Sequence, residues 1–252
     1  MSVEAQLPGA AGSDPARVAE LSANLARVRA RIADACRAAG RAADSVTIVA
    51  ITKTRPAADV RCLAGLGIGH VGENRDQEAR PKAAECADLD LTWHFVGQLQ
   101  RNKAASVAQY AHIVESVDRL PLVAALDRAA ARVGRRLGVC LQVDLAPRPH
   151  GADGGPGHRG GASADEALAL ADAVAGAAQL DLLGVMAVAP LDVDPRAPFE
   201  RLAQVHDLVL AAHPGATMRS AGMSADLEAA IAAGATHVRL GSALLGHRAP
   251  LK

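Results

Sequence analysis

Residues 217–246 read TMRSAGMSADLEAAIAAGATHVRLGSALLG. TMRSAG is a short strand ending in a turn glycine. SADLEAAIAAG has the alanine-rich composition and the closing glycine of a helix. THVRLGSALLG is a strand that runs into the start of another helix. Strand, helix, strand and helix in so short a span imply parallel strands joined by a crossover.

Upstream, the same unit recurs. DLLGVMAVA precedes PFERLAQVHDLVLAAH. GVCLQVDLA precedes a Gly/Pro-rich loop over 146–162 and a helix over 163–178. HIVESV precedes RLPLVAALDRAAARVG, and LTWHFVG precedes QRNKAASVAQY. IGHVGEN leads to a helix over 75–87. SVTIVAITKTRP holds the first strand, over 46–51, with Pro56 opening the next helix. Eight strands, each followed by helical sequence, within 252 residues predict a single (β/α)8 TIM barrel. A doubly wound open sheet is the competing arrangement. An extra helix precedes the first strand: Val18, Leu21, Leu25, Val28 and Ile32 fall at helical spacing after Ser13-Asp14-Pro15. Residues 1–14 read as a flexible tail and 15–252 as one domain, with no second domain left to assign.

Half of the residues are hydrophobic, enough for a sizeable core. Lys+Arg and Asp+Glu balance at 27 each and aromatics are scarce, so neither nucleic acid nor a membrane surface is an expected partner. The N-terminus lacks the basic start and apolar core of a signal peptide, and no run is long and apolar enough to span a bilayer. Cys36, Cys62, Cys86 and Cys140 stand far apart, with no metal-ligand spacing. They read as buried thiols of a reduced, cytoplasmic protein.

In this fold chemistry sits at the C-terminal ends of the strands. Those ends offer Lys53, then Glu73 and Asn74, then His94 with Gln98, then Glu115 and Ser116, then Gln142 and Asp144, then Met186. The seventh strand offers Ser220, Gly222, Met223 and Ser224, and the eighth Arg239, Gly241 and Ser242. Small residues at two successive helix mouths suit a phosphate, which backbone N–H groups and helix N-termini attract. Ordinary capping by Ser224 and a turn glycine is the other reading. Lys53 is either an amine placed to bond an aldehyde or a lysine packing its stem on the rim. Arg239 points into the barrel and needs an acceptor, either a ligand or an acid such as Asp144.

The set AITKTRP, GEN, WHFVGQLQRNK and SAGMSADLEAAIAAGATHVRLGSALLG closely resembles the pyridoxal 5′-phosphate (PLP) homeostasis proteins, the YggS/PROSC family. The likeness runs from about residue 17 to 248. It implies an alanine-racemase-like barrel without the C-terminal β domain of the racemases. It implies PLP as cofactor, held as an aldimine on Lys53, with Arg239 facing the pyridine nitrogen. Ser224, Gly241 and Ser242 fall on the phosphate cradle, with Ser220 and Met223 beside it. Asn74 and His94 fall on positions near the cofactor, and Gln98, Asn102 and Lys103 also match. Two positions depart from the family pattern. Arg159 stands where a lysine is frequent, and Arg75 follows GEN.

The expectation is a carrier or buffer of PLP, with PLP-dependent apo-enzymes as recipients and with neither catalytic residues nor a metal; net neutrality and the missing dimerisation domain suggest a monomer. A guanidinium keeps its proton and leaves the ring nitrogen unprotonated, which weakens the ring as an electron sink. Racemisation also needs an acid on the second face. The single tyrosine, Tyr110, is placed away from the site. An amino-acid racemase of low activity is the alternative.

Overall fold

The computed structural model describes residues 14–146, 160–190 and 193–246. Residues 1–13 of the tail read over 1–14, most of the 146–162 loop with Arg159, and residues 247–252 lie outside the described residues.

The chain order is α1 (Pro15–Ala38), β1 (Thr47–Ile51), α2 (Ala57–Gly65), β2 (His70–Glu73), α3 (Asp76–Glu85), β3 (Thr92–Phe95), α4 (Ala104–Val107), β4 (Ile113–Val117) and α5 (Leu120–Val133). It continues with β5 (Leu137–Gln142), α6 (Ala164–Ala175), β6 (Leu180–Met186), α7 (Arg196–Ala212), β7 (Met218–Ser220), α8 (Leu227–Ala232), β8 (His237–Leu240) and α9 (Ser242–Leu245). All neighbouring strands are parallel, and β8 closes on β1 with Val49 opposite Arg239. Closure settles the barrel against the open sheet. The fourth predicted helix is shorter than its sequence suggests. A 3₁₀ turn, Arg101–Lys103, leads into a single α-turn.

Strand alternation divides the core in two. Outward-facing residues such as Val71, Phe95, Val114, Leu141 and Leu240 pack beneath the helices in one continuous cluster. Inside the barrel, Cys140, Met186 and Met218 form a small apolar cluster with Ile113 and Leu183. Val49 and Ile51 also face inward, beside Gly72, and the interior is otherwise notably polar, with His70, His94, Glu115, Ser220, His237 and Arg239. All four cysteines are buried and free. No helix among the described residues is long and apolar enough to cross a membrane.

The additional helix α1 starts where the sequence places it, with Asp14 accepting from the Ala16 amide. It buries Leu21, Leu25, Val28 and Ile32, each worth about 1.5–3 kcal/mol if fully removed from water. Its polar residues hold the last turns of the barrel from behind. Asn24 donates to the Leu244 carbonyl at 2.9 Å and Arg17 to the Leu245 carbonyl at 3.1 Å. Arg31 donates to the Ser224 carbonyl at 3.1 Å and pairs with Glu228. Terminal carbonyls of α9, otherwise unpaired, are thereby satisfied.

Candidate cofactor site

The mouth of the barrel opens into a cavity of about 620 Å³ lined by Lys53, Arg55, Met223, Ser224, Arg239, Gly241 and Ser242. It lies within the size range of ordinary small-molecule sites. Asn74, His94 and Ser220, also candidates from sequence, do not line it.

Lys53 follows the end of β1 and carries no hydrogen bond or ion pair among the described residues. The residues flanking it are tightly held. Thr54 adopts φ 63°, the one positive value outside glycine among the described residues, and its amide donates to Glu78 Oε2 at 3.0 Å. The Thr52 carbonyl accepts from Lys82 Nζ at 2.8 Å and from the Arg55 amide at 3.0 Å. The Thr52 hydroxyl donates to Glu73 Oε1 at 2.7 Å, which also receives Lys82 Nζ at 2.5 Å. A left-handed, non-glycine residue costs about 1 kcal/mol or more and persists only where its surroundings over-determine it. Here those surroundings aim the next residue back, Lys53, into the cavity.

Glu73 is therefore no mouth residue. Alternation turns it outward beneath α3, and only its neighbour Asn74 faces the barrel side. The Asn74 carbonyl packs so close to Gly97 that a Cβ there would approach it to 2.1 Å. The same parity separates Glu115, inside, from Ser116, whose buried hydroxyl has no partner.

For Ser224 the capping alternative fails. The helix after β7 begins only at Leu227, with Asp226 at its cap position, so Ser224 does not cap it. Instead its hydroxyl accepts from the Ala243 amide at 3.2 Å and lies 3.4 Å from Ser242 Oγ. Two hydroxyls and the backbone at Gly241 thus meet at one place. With α8 and α9 so short, these hydroxyls and amides matter more than any helix dipole. The turn that brings Ser224 there requires glycine: Gly222 has φ 92°, and a Cβ would sit 2.7 Å from that of Ala230.

Arg239 is nearly fully buried where it lines the cavity. Its Nη2 donates to the Ala187 carbonyl and its Nη1 to Ser220 Oγ, both at 2.7 Å. The acid opposite it is Glu115, with Oε2 at 3.8 Å, and not Asp144, which accepts from the Ala146 amide. Ser220 donates to Glu115 Oε2 at 2.6 Å, and His94 Nδ1 lies 2.6 Å from Oε1. Burial alone would raise the Glu115 pKa, but His94, Arg239 and Ser220 outweigh it and hold the group at about 2. His94 is fully buried, and its other nitrogen lies 2.9 Å from His70 Nδ1. Sequence reasoning took Glu115 only as a strand end; the demand of Arg239 for an acceptor was the signal that could have joined them.

The family model for the alanine racemase N-terminal domain matches residues 18–249. The pyridoxal phosphate homeostasis protein of Mycobacterium tuberculosis is 44% identical over 254 residues, covering 93% of this chain and 95% of the relative. The chain belongs to the pyridoxal phosphate homeostasis protein family. The Escherichia coli member is 33% identical over 91% of this chain and 97% of its own. Among solved structures, PipY of Synechococcus elongatus with PLP bound superposes with a TM-score of 0.75 at 34% identity, covering 90% of this chain and all of that one. An alanine racemase from Corynebacterium glutamicum, 14% identical, gives 0.64 over 63% of its own length. That likeness carries the fold alone. Homeostasis family members thus match from end to end, whereas the racemase extends well beyond the shared barrel.

Proposed function

We propose that this chain binds PLP at the barrel mouth and acts as an intracellular carrier or buffer of it, without catalytic turnover. The observation that carries the reading is a single cavity joining the free amine of Lys53 to the buried guanidinium of Arg239. PipY, a relative covered along its whole length, is described with PLP bound.

The residues present fit the group. When bound, PLP supplies an aldehyde that a primary amine attacks, and Lys53 is the amine at the cavity. The Ser224 and Ser242 hydroxyls and the Gly241 backbone would hold the phosphate, with Met223 lining the wall beside them. Arg239 would donate to the ring nitrogen. Its contacts with Ala187 and Ser220 fix the plane of the guanidinium beforehand. A guanidinium donates without surrendering its proton, which restrains carbanion chemistry. Ser220 would support the site from beneath through its bond with Arg239, and Asn74 would stand at its edge.

Turnover of an amino acid needs a second acid. Tyr110 lies in the turn after α4, buried away from the cavity, where burial pushes its hydroxyl well up in pKa. Four buried free cysteines fit a reducing cytoplasm.

The deciding experiment is transfer of PLP to an apo-enzyme, timed against spontaneous release into buffer, with an amino-acid control. Recipient activation faster than release, with L-alanine left unconverted, is the expected result. Sustained formation of D-alanine would instead establish the racemase reading. A second expectation concerns the cradle. A Cβ at Gly241 would meet only ordinary contacts at 3.7 Å with Ile51. Gly241→Ala should therefore fold as the parent does, yet bind PLP about tenfold more weakly, a loss of about 1.4 kcal/mol measurable by titration.

A further inference from the structure

We propose that Glu115 is the positioning residue for Arg239, and that the His94–His70 pair behind it couples proton uptake at the barrel floor to the guanidinium at the mouth. The proposal rests on the PLP reading for its consequence, but not for its geometry.

Five side chains form a single file through the barrel. Arg239 donates to Ser220, and Ser220 donates to Glu115 Oε2. Glu115 Oε1 is met by His94 Nδ1, and His94 Nε2 by His70 Nδ1. The bonds from Arg239 to His94 have directions fixed by their ends. Arginine only donates and an ionised carboxylate only accepts. His94 must therefore carry its proton on Nδ1. In the neutral form of His94 its Nε2 accepts, and His70 donates from its own Nδ1.

The file spans the barrel from mouth to floor. Arg239 lines the cavity. His70 is the first residue of β2, only partly buried, and borders a floor cavity of about 510 Å³ with Arg29 and Asp44. A proton arriving at His70 Nε2 lets the Nδ1 proton pass to His94 Nε2. The imidazole rings need not move. His94 becomes an imidazolium against Glu115, and the proton gained comes from solvent at the floor. The carboxylate then divides its charge between two cations, and more of the Arg239 charge faces the cavity.

The groups facing the pair are named easily. His237 and Arg239 project from β8, Glu115 from β4, Cys140 from β5 and Ser220 from β7, and His112 precedes β4. The His237 ring lies 6.0 Å from that of His70 and 6.4 Å from that of His94. Burial lowers the pKa of His237 to about 4 and that of His70 in the same direction. His70 thus takes up its proton only as pH falls below the ordinary imidazole range.

The test uses the full chain. Side-chain NMR of the unloaded protein, titrated from about pH 8 to about pH 4, should show the Arg239 guanidinium signals moving with the His94 imidazole midpoint. His70→Gln, at a partly exposed position, should displace that common midpoint. The same variant should bind PLP as the parent does at about pH 8 and about threefold more weakly at a pH below the common midpoint that the NMR titration reads. Glu115→Gln should uncouple the Arg239 and His94 signals and weaken PLP binding at both pH values. Arg239 signals that stay flat through the His94 titration would overturn the proposal. So would a His70→Gln to parent affinity ratio that is the same at both pH values. Failure of the parent to take up PLP at any pH would count against the cofactor reading, and the NMR titration would still decide the coupling.

Discussion

Lys82→Met is expected to destabilise the protein by about 3–5 kcal/mol, the range found when one partner of a buried ion pair is removed. Lys82 lies in α3 with its side chain almost wholly buried, and Glu73 beneath it is fully buried. Glu73 Oε2 already has no hydrogen-bond partner, so Oε1 carries all of its stabilising contacts, from Lys82 and the Thr52 hydroxyl. Without the ammonium, a carboxylate remains inside the protein with one neutral donor. The loss is a large part of the 5–15 kcal/mol that holds a typical domain together. For a chain of this size it corresponds to a fall in Tm of about 6–20 °C. Calorimetry of the unloaded protein measures it. The double variant Lys82→Met/Glu73→Leu should recover most of the stability, because removing both charges leaves nothing unpaired. If the single variant melted like the parent, the ion pair would have no structural weight. The double variant should still bind PLP weakly, since the Thr52 carbonyl loses the contact that fixes the turn before Lys53.

Lys53→Ala should abolish covalent capture of PLP and leave the fold unchanged. The side chain forms no hydrogen bond or ion pair among the described residues, so surface-like stability effects within about 0.5 kcal/mol are expected. Borohydride treatment of the loaded parent should yield a stable adduct of one PLP per chain by intact mass, and the variant none. Weak, reversible binding should persist through Arg239 and the serine hydroxyls. A full stoichiometric adduct in Lys53→Ala would move the attachment point elsewhere.

Much of the barrel can be read from local pattern. Each strand and helix is announced by apolar runs, alanine-rich stretches and turn glycines. Lys53, Met223, Ser224, Arg239, Gly241 and Ser242 then converge because strand C-termini share one end of the barrel. What local pattern misses is parity and distance. Glu73 and Asn74 are adjacent in sequence, yet the pleat gives them opposite faces. The pairing of Glu73 with Lys82 depends on how far α3 is rotated on β2, and no spacing in the sequence records that angle. His70 and His237 meet only because β8 closes on β1, which brings the first and last strands of the sheet together. The Arg239–Glu115 relation crosses the barrel interior for the same reason.

The grip of α1 on α9 has a consequence for when the protein can first hold a ligand. Domains emerge from synthesis N-terminal end first. The lysine-bearing strand and α1 are made early. The serine turn, Arg239 and Gly241 are made late, and Asn24, Arg17 and Arg31 of α1 are waiting to receive them. A nascent chain that has not yet reached α9 has the amine but no cradle. On the function proposed above, lasting retention of PLP would begin only in chains that have closed their barrel.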